Sequence, residues 1–200
     1  VDMPIAPTEP SMLEVLRRIV QEVDNAPSFQ AALDVLVASV REATHTEVCS
    51  VYLLDDRTER LVLMANEGFN PSSIGVVSLG FGEGLVGLCA TREEPINLQD
   101  AATHPSYVYF PETGEERYNA FLGVPIMNRR KVLGVLVVQQ FENRRFDEGE
   151  VAFLVTLSAQ LSGVVAHAKV MGQLEVVRGS RATPTQIYQG ITGATGVTLG

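Results

Sequence analysis

The sequence predicts an α+β domain built on an antiparallel sheet, and its order of elements carries that expectation. Two amphipathic helices precede any strand, the strands arrive as hairpins with short polar turns, and a long apolar-striped helix follows the last strand. Parallel crossovers would instead separate successive strands by helices.

Ser11 followed by Glu14 makes a capping-box pattern, and Leu13, Leu16, Ile19, Val20 and Val23 recur at helical spacing until Asn25-Ala-Pro27 stops the helix. Ser28 caps a second helix, whose Ala32, Leu33, Leu36, Val37 and Val40 form an apolar stripe up to about Ala43. Val48 to Leu54 and Leu61 to Ala65 read as strands joined by the solvated turn Asp55-Asp-Arg-Thr-Glu-Arg60. Asn70-Pro71 opens a loop, Val76 to Leu79 is a short strand, and Gly80-Phe-Gly-Glu-Gly84 leads into a short helix, Leu85 to about Thr91, ended by Pro95. Ile96 to Leu98 is a brief edge strand. Asp100 to about Arg117 is a long polar-aromatic excursion of the kind that forms lids and binding segments.

Phe121 to Ile126 and Val132 to Val138 form a second hairpin with a basic four-residue turn. Within it Pro125 donates no ladder hydrogen bond, and Gly123 is expected to leave space beside the sheet that a ligand can use. Asp147 with Glu150 starts the last helix, carrying Val151, Leu154, Val155, Ser158, Leu161, Val165 and Ala168 on one side and running to about Val177. From Gly179 onward five glycines and five threonines accompany a single charge, Arg181, which reads as a linker or the first edge of another domain.

With 46% hydrophobic and 20% charged residues, the 200-residue chain suits one well-buried core plus a remainder. Its longest unbroken apolar run is the seven residues from Val132 to Val138, far below the roughly 20 that cross a bilayer, so no membrane span is expected. Val1 to Pro10 holds three prolines and two acids, unlike a secretory leader, and the non-Met start suggests a processed or trimmed chain. A net charge of −9 argues against nucleic acid as a partner, and the basic cluster Arg129-Arg130-Lys131 sits at a hairpin tip, where charge keeps a turn solvated. Cys49 and Cys89, 40 positions apart in apolar runs, suit buried reduced thiols of a cytoplasmic protein better than a disulfide, with a redox switch as the alternative.

Gly82-Glu-Gly84-Leu-Val-Gly87 matches the dinucleotide-binding glycine pattern, with Asp100 some 18 residues beyond its first glycine. The context is wrong, because that site needs a parallel crossover with a full helix and a buried second strand. These glycines instead let backbone approach the sheet or a small ligand, with helix amides available to an anion. His45, His104 and His167 have no neighbours at metal-ligand spacing, so no metal site is expected. His45 and His167 stand near helix ends, where a cation complements the helix dipole. His104, near Asp100, Tyr107 and Glu116, is either a turn residue before Pro105 or a ligand. Phe81, Tyr107, Tyr109, Phe110 and Phe121 either line a small-molecule pocket or simply pack a lid. Ser158, Ala159, Ser162, Gly163 and Ala166 form a small-residue stripe that permits close approach of a partner helix or of the domain's own sheet.

Assembled, these segments resemble a GAF domain: two helices, a hairpin, Glu83-Gly-Leu-Val-Gly87, the excursion, Phe121-Leu-Gly-Val-Pro-Ile126, Leu133-Gly-Val-Leu and a final helix. More narrowly, Glu47-Val-Cys-Ser-Val-Tyr-Leu53, Glu94-Pro-Ile-Asn-Leu-Gln-Asp100, His104-Pro105, Glu115-Glu-Arg117 and Phe153-Leu-Val-Thr-Leu157 are similar to the N-terminal sensor domain of the PtsP family, the nitrogen-related enzymes I of the phosphotransferase system. The likeness covers about Met12 to Ala168. In the tail, Gly193-Ala-Thr-Gly-Val197 looks like the opening strand of the phosphotransferase module, with Thr195 where a proline is common.

The resemblance implies a six-stranded antiparallel sheet with the N- and C-terminal helices on one face and ligand-pocket loops on the other. It implies a sensor domain over residues 12–170, with 171–200 a linker and first edge of the next module. It implies a non-catalytic chain without a cofactor of its own, since the module's histidine-bearing motif is absent. The parent enzyme would be Mg-dependent and would move phosphate from phosphoenolpyruvate to the nitrogen phosphocarrier protein. The expected effector is glutamine, with 2-oxoglutarate as another nitrogen signal. Asn97, Asp100, His104, Glu116 and Arg117 are the polar ligand candidates, Phe81, Tyr107 and Phe121 the apolar walls, and Gly82 and Gly84 the backbone contacts. Homodimerisation through the terminal helices, with a vestigial pocket, and cyclic-nucleotide binding are the competing readings.

Overall fold

The computed structural model describes residues 9–113 and 118–172. Helix α1 (Met12–Asp24) and helix α2 (Phe29–Thr44) are each started by a serine: Ser11 accepts from the Glu14 amide at 3.2 Å, and Ser28 from the Ala31 amide at 3.1 Å. These bonds satisfy amides that the first helical turn leaves without partners. Strands β1 (Val48–Asp55) and β2 (Arg60–Glu67) form the first hairpin, and β3 (Ser78–Gly80) adds to its outer edge. Helix α3 (Gly84–Arg92) leads to β4 (Ile96–Leu98). The long excursion, with single helical turns at Ala101–Thr103 and Pro111–Thr113, then returns to β5 (Ala120–Asn128) and β6 (Lys131–Gln140).

All six strands join one antiparallel sheet in the order β3-β2-β1-β6-β5-β4. The two longest hairpins therefore meet at its centre, where β1 pairs with β6. Helix α4 (Glu148–Val170) closes the fold with a complete capping box between Asp147 and Glu150. Arg144 reinforces that corner through two 2.8 Å bonds to the Glu150 carboxylate.

Alternation along the strands divides the apolar side chains into two cores. On one face Val51, Leu53, Leu122, Val124, Ile126, Leu136 and Val138 pack beneath α1, α2 and α4. On the other Tyr52, Leu61, Leu63, Phe121, Val135 and Val137 meet α3 and the excursion. Each fully buried aliphatic side chain contributes about 1.5–3 kcal/mol, so the three-helix face carries most of the stabilisation. Arrangement and strand count agree with the expected α+β architecture.

Three local expectations change. The second hairpin turns in two residues, Arg129 and Arg130, both at positive φ, because β5 extends to Asn128 and pairs with Lys131. Helix α4 ends at Val170, with Gly172 at φ +69, rather than continuing to Val177; residues 173–200, including the expected linker, lie outside the described residues. The space over Gly123 is filled: a Cβ there would stand 2.9 Å from the Phe121 ring, and Cys89 lies just beyond. Pro125 is tolerated because β4 pairs with β5 only from Phe121 to Gly123, leaving that stretch of the edge open.

Among the described residues α4 is the one helix long and apolar enough to cross a membrane by length and composition, with a mean hydropathy of 1.6. Phe153, Leu154, Leu157, Leu161, Val165 and Ala168 seat it in the core, which accounts for that character.

Candidate functional site

The sheet face away from the three helices holds the candidate site. Its floor comes from strand positions that alternation turns to this side: Tyr52 on β1, Leu79 on β3, Phe121 on β5 and Gln139 on β6. The first turn of α3, Gly84 to Val86, forms one wall, and the excursion supplies a roof of Tyr107, Val108, Phe110 and Thr113, with Phe69 at the side. The partly open cavity measures about 40 Å³, room for a few waters. Its walls are mainly apolar, with polar atoms from Tyr52, Tyr107, Thr113 and Gln139, and no charged side chain lines it among the described residues.

Backbone constraints set the wall. Gly84 takes φ +64, and a side chain there would meet Leu79 at 2.6 Å. Gly87 lets α3 lie against the preceding turn, where a Cβ would approach the Gly80 carbonyl oxygen to 2.2 Å. Glu83 ties the turn down, its carboxylate accepting from the Gly80 amide at 2.8 Å and pairing with Arg60 at 3.2 Å. The roof is anchored at both ends: Ala101 donates to the Asn119 carbonyl at 2.7 Å, and Asn70 donates to the Thr113 carbonyl at 2.8 Å. Tyr107 and Phe110 point inward, while Tyr109 is half exposed.

Of the residues singled out from sequence, the fold brings Gly84, Tyr107, Phe110 and Phe121 together at the cavity. The others stand elsewhere. Phe81 is 46% exposed at the tip of the turn before α3, and Gly82 takes φ +77 there, its amide spent on the Gly87 carbonyl. Asn97 faces the opposite side of the sheet, where its amide donates to the Phe146 carbonyl at 2.8 Å and accepts from the Phe146 amide, fixing the approach to α4. Asp100 precedes the first turn of the roof, its carbonyl accepting from the Thr103 hydroxyl at 2.9 Å. His104 is a turn residue: its Nδ1 accepts from the Ser106 amide at 3.1 Å and its carbonyl from the Tyr107 amide. Glu116 and Arg117 lie outside the described residues.

Tyr52 and Gln139 escaped the sequence reading. The strand reading Val132-Leu-Gly-Val-Leu-Val-Val138 ends in two glutamines, and both are buried. Gln140 faces the helices, bonding the His45 carbonyl and Arg144, whereas Gln139 faces the cavity.

The two cysteines belong to different cores on opposite faces of the sheet, Cys49 beneath the helices and Cys89 beside Phe121. Burial pushes both thiols up, Cys89 to about 12, so neither is a thiolate at neutral pH.

The model of the GAF domain matches residues 28–165. A protein of Salmonella typhimurium described as phosphoenolpyruvate-dependent phosphotransferase system is 46% identical over 92% of this chain, and the chain spans 25% of that relative's length. The GAF domain of a phosphoenolpyruvate-protein phosphotransferase (ptsP) from Coxiella burnetii superimposes with a TM-score of 0.78 at 48% identity, covering 80% of this chain and 96% of that one. The corresponding Acinetobacter domain gives 0.75 at 50% identity, covering 82% and 99%.

Proposed function

The chain belongs to the GAF family, and from that premise we propose that it is the regulatory sensor domain of a PtsP-type phosphotransferase, binding a small nitrogen-status metabolite, glutamine first, beneath the roof. The observation that carries this reading is the partly open cavity between sheet and excursion, apolar in its walls and furnished with a few hydroxyl and carboxamide groups. A cavity of about 40 Å³ is too small for glutamine as it stands, so binding requires the segment Ala101–Thr113 to move outward. That movement is the signal: ligand stabilises an opened roof, and the change in roof position is what the rest of a longer protein would read.

The relative's length supports a larger parent, with Mg-dependent transfer of phosphate from phosphoenolpyruvate to the nitrogen phosphocarrier protein located outside this chain. On this reading the domain itself carries no catalytic step, and its reduced, buried thiols suit a cytoplasmic setting. A cyclic nucleotide or the 2-oxoglutarate dianion fits less well, because each brings net negative charge to an acidic chain, whereas glutamine is neutral overall. Titration calorimetry of the 200-residue chain with glutamine tests the reading: saturable one-to-one binding supports it, and no heat at millimolar ligand removes it.

A second reading, self-association through the terminal helices, rests on the outer face of α4. There Ala152, Val155, Ala159, Gly163 and Val170 are exposed, and Leu13 of α1 is 74% exposed. Such faces mark association surfaces. Sedimentation velocity is expected to give a dimer that Val155→Lys converts to monomer; a monomeric wild-type chain at high concentration contradicts it.

A further inference from the structure

We infer that the cavity is an aromatic cage for a small organic cation alkylated at nitrogen, a quaternary ammonium; the inference rests on the cavity being a ligand site, not on glutamine being its occupant. Rings reach it from three directions: Phe121 with Tyr52 from the floor, Phe110 with Tyr107 from the roof, and Phe69 from the side. Five of the twelve lining residues are therefore aromatic, in a chain that is 6% aromatic. Ordinary packing in this fold does not ask for that concentration. The larger core beneath the helices is built almost entirely of aliphatic side chains, with Phe29, Phe146 and Phe153 as its buried rings among the described residues.

The face of an aromatic ring carries partial negative charge and attracts a cation within about 6 Å of its centroid, most strongly when both are withdrawn from water. That no charged side chain lines the cavity among the described residues decides which kind of cation fits. A primary ammonium is strongly hydrated and brings three N–H donors, each needing an acceptor. A quaternary ammonium has no N–H to satisfy, and its methyl groups pack against rings as hydrocarbon does, so it loses least on leaving water. The net charge of −9 draws cations towards the chain. A trimethylammonium head exceeds the present space of about 40 Å³, so it enters with the same outward movement of Ala101–Thr113, and the roof rings then settle over it. Because the cavity is partly open, glutamine can leave its two charges at the mouth, and the two ligands compete for one space.

The test is calorimetry of the 200-residue chain with choline and with its neutral isostere, in which carbon replaces the nitrogen, alone and in competition with glutamine. It is repeated on Phe110→Leu and Phe69→Leu, with thermal unfolding as the check on folding. Wild type should bind choline saturably and about tenfold or more tightly than the isostere, the scale of a desolvated cation–ring attraction. Each variant keeps an apolar wall but loses a ring, so choline should weaken about three- to tenfold while the isostere stays within about twofold. Loss of packing alone would weaken both probes alike. If one variant does not fold, the other carries the comparison. Equal affinity for the two probes, an unchanged ratio in the folded variants, simultaneous binding of choline and glutamine, or binding of glutamine without choline overturns the cage and leaves the sensor reading intact. Choline binding without glutamine binding upholds the cage and removes glutamine as the ligand. Absence of binding by the wild-type chain to either overturns both.

Discussion

Gly123 offers a sharp test of how the sheet is built beneath the roof. A methyl group added there would lie 2.9 and 3.1 Å from two atoms of the Phe121 ring and 3.7 Å from the Cys89 sulfur. Ordinary carbon contacts are about 3.5–4.0 Å, so the ring must retreat by roughly half an ångström in a core that has little slack. Overpacking of this kind costs about 1–3 kcal/mol, and replacing a strand glycine by alanine returns about 0.5–1 kcal/mol of conformational entropy. Gly123→Ala should therefore destabilise by about 1–2 kcal/mol. In a Phe121→Leu background the clash disappears, so the same substitution should become neutral or favourable, a coupling of about 1 kcal/mol between touching sites. Urea unfolding of the four chains of this cycle, with unchanged slopes, measures it. Equal cost of Gly123→Ala in both backgrounds would refute the argument that this glycine exists to seat the ring.

The remaining predictions concern the wall, the α4 corner and the thiols. Gly84→Ala combines φ +64 with a 2.6 Å approach to Leu79 and should cost about 2 kcal/mol by the same assay. The Arg144 guanidinium beside Glu150 holds its carboxyl below the usual carboxylate range. Stability from this pair is therefore complete above the unfolded-state pKa and lost as pH falls through the lower folded value. Glu150→Gln should cost about 1 kcal/mol near neutrality and flatten the acid limb of the stability curve below the ordinary carboxylate range. Cys49 and Cys89, protonated and buried, should react with a thiol reagent at neutral pH only at the rate of unfolding; fast labelling of the native chain would revive a redox role.

The frame was legible because its signals are local. Ser11, Ser28 and Asp147 announce helix starts that the structure bears out bond by bond, and β-branched runs mark the strands at the sheet's centre. The site was less legible, because it depends on which face a residue takes and on what a loop backbone consumes. Asn97 looks like a pocket residue in a polar stretch, yet one position of strand alternation sends it to the helix side. His104 has the chemistry of a ligand, but its ring closes a local turn. Gly123 suggested an opening, and the ring of Phe121, two residues earlier on the same face of its strand, fills it. Gln139 was hidden for the complementary reason: two glutamines after an apolar run look like a strand emerging into solvent, and only tertiary packing buries them.

Amide hydrogen exchange of the chain with and without saturating glutamine tests the central claim most directly. The account predicts altered exchange concentrated in Ala101–Thr113 and at the Gln139 end of β6, with the helix face unchanged. Binding that leaves the roof unaltered, or that shifts exchange only in α1 and α4, would contradict it.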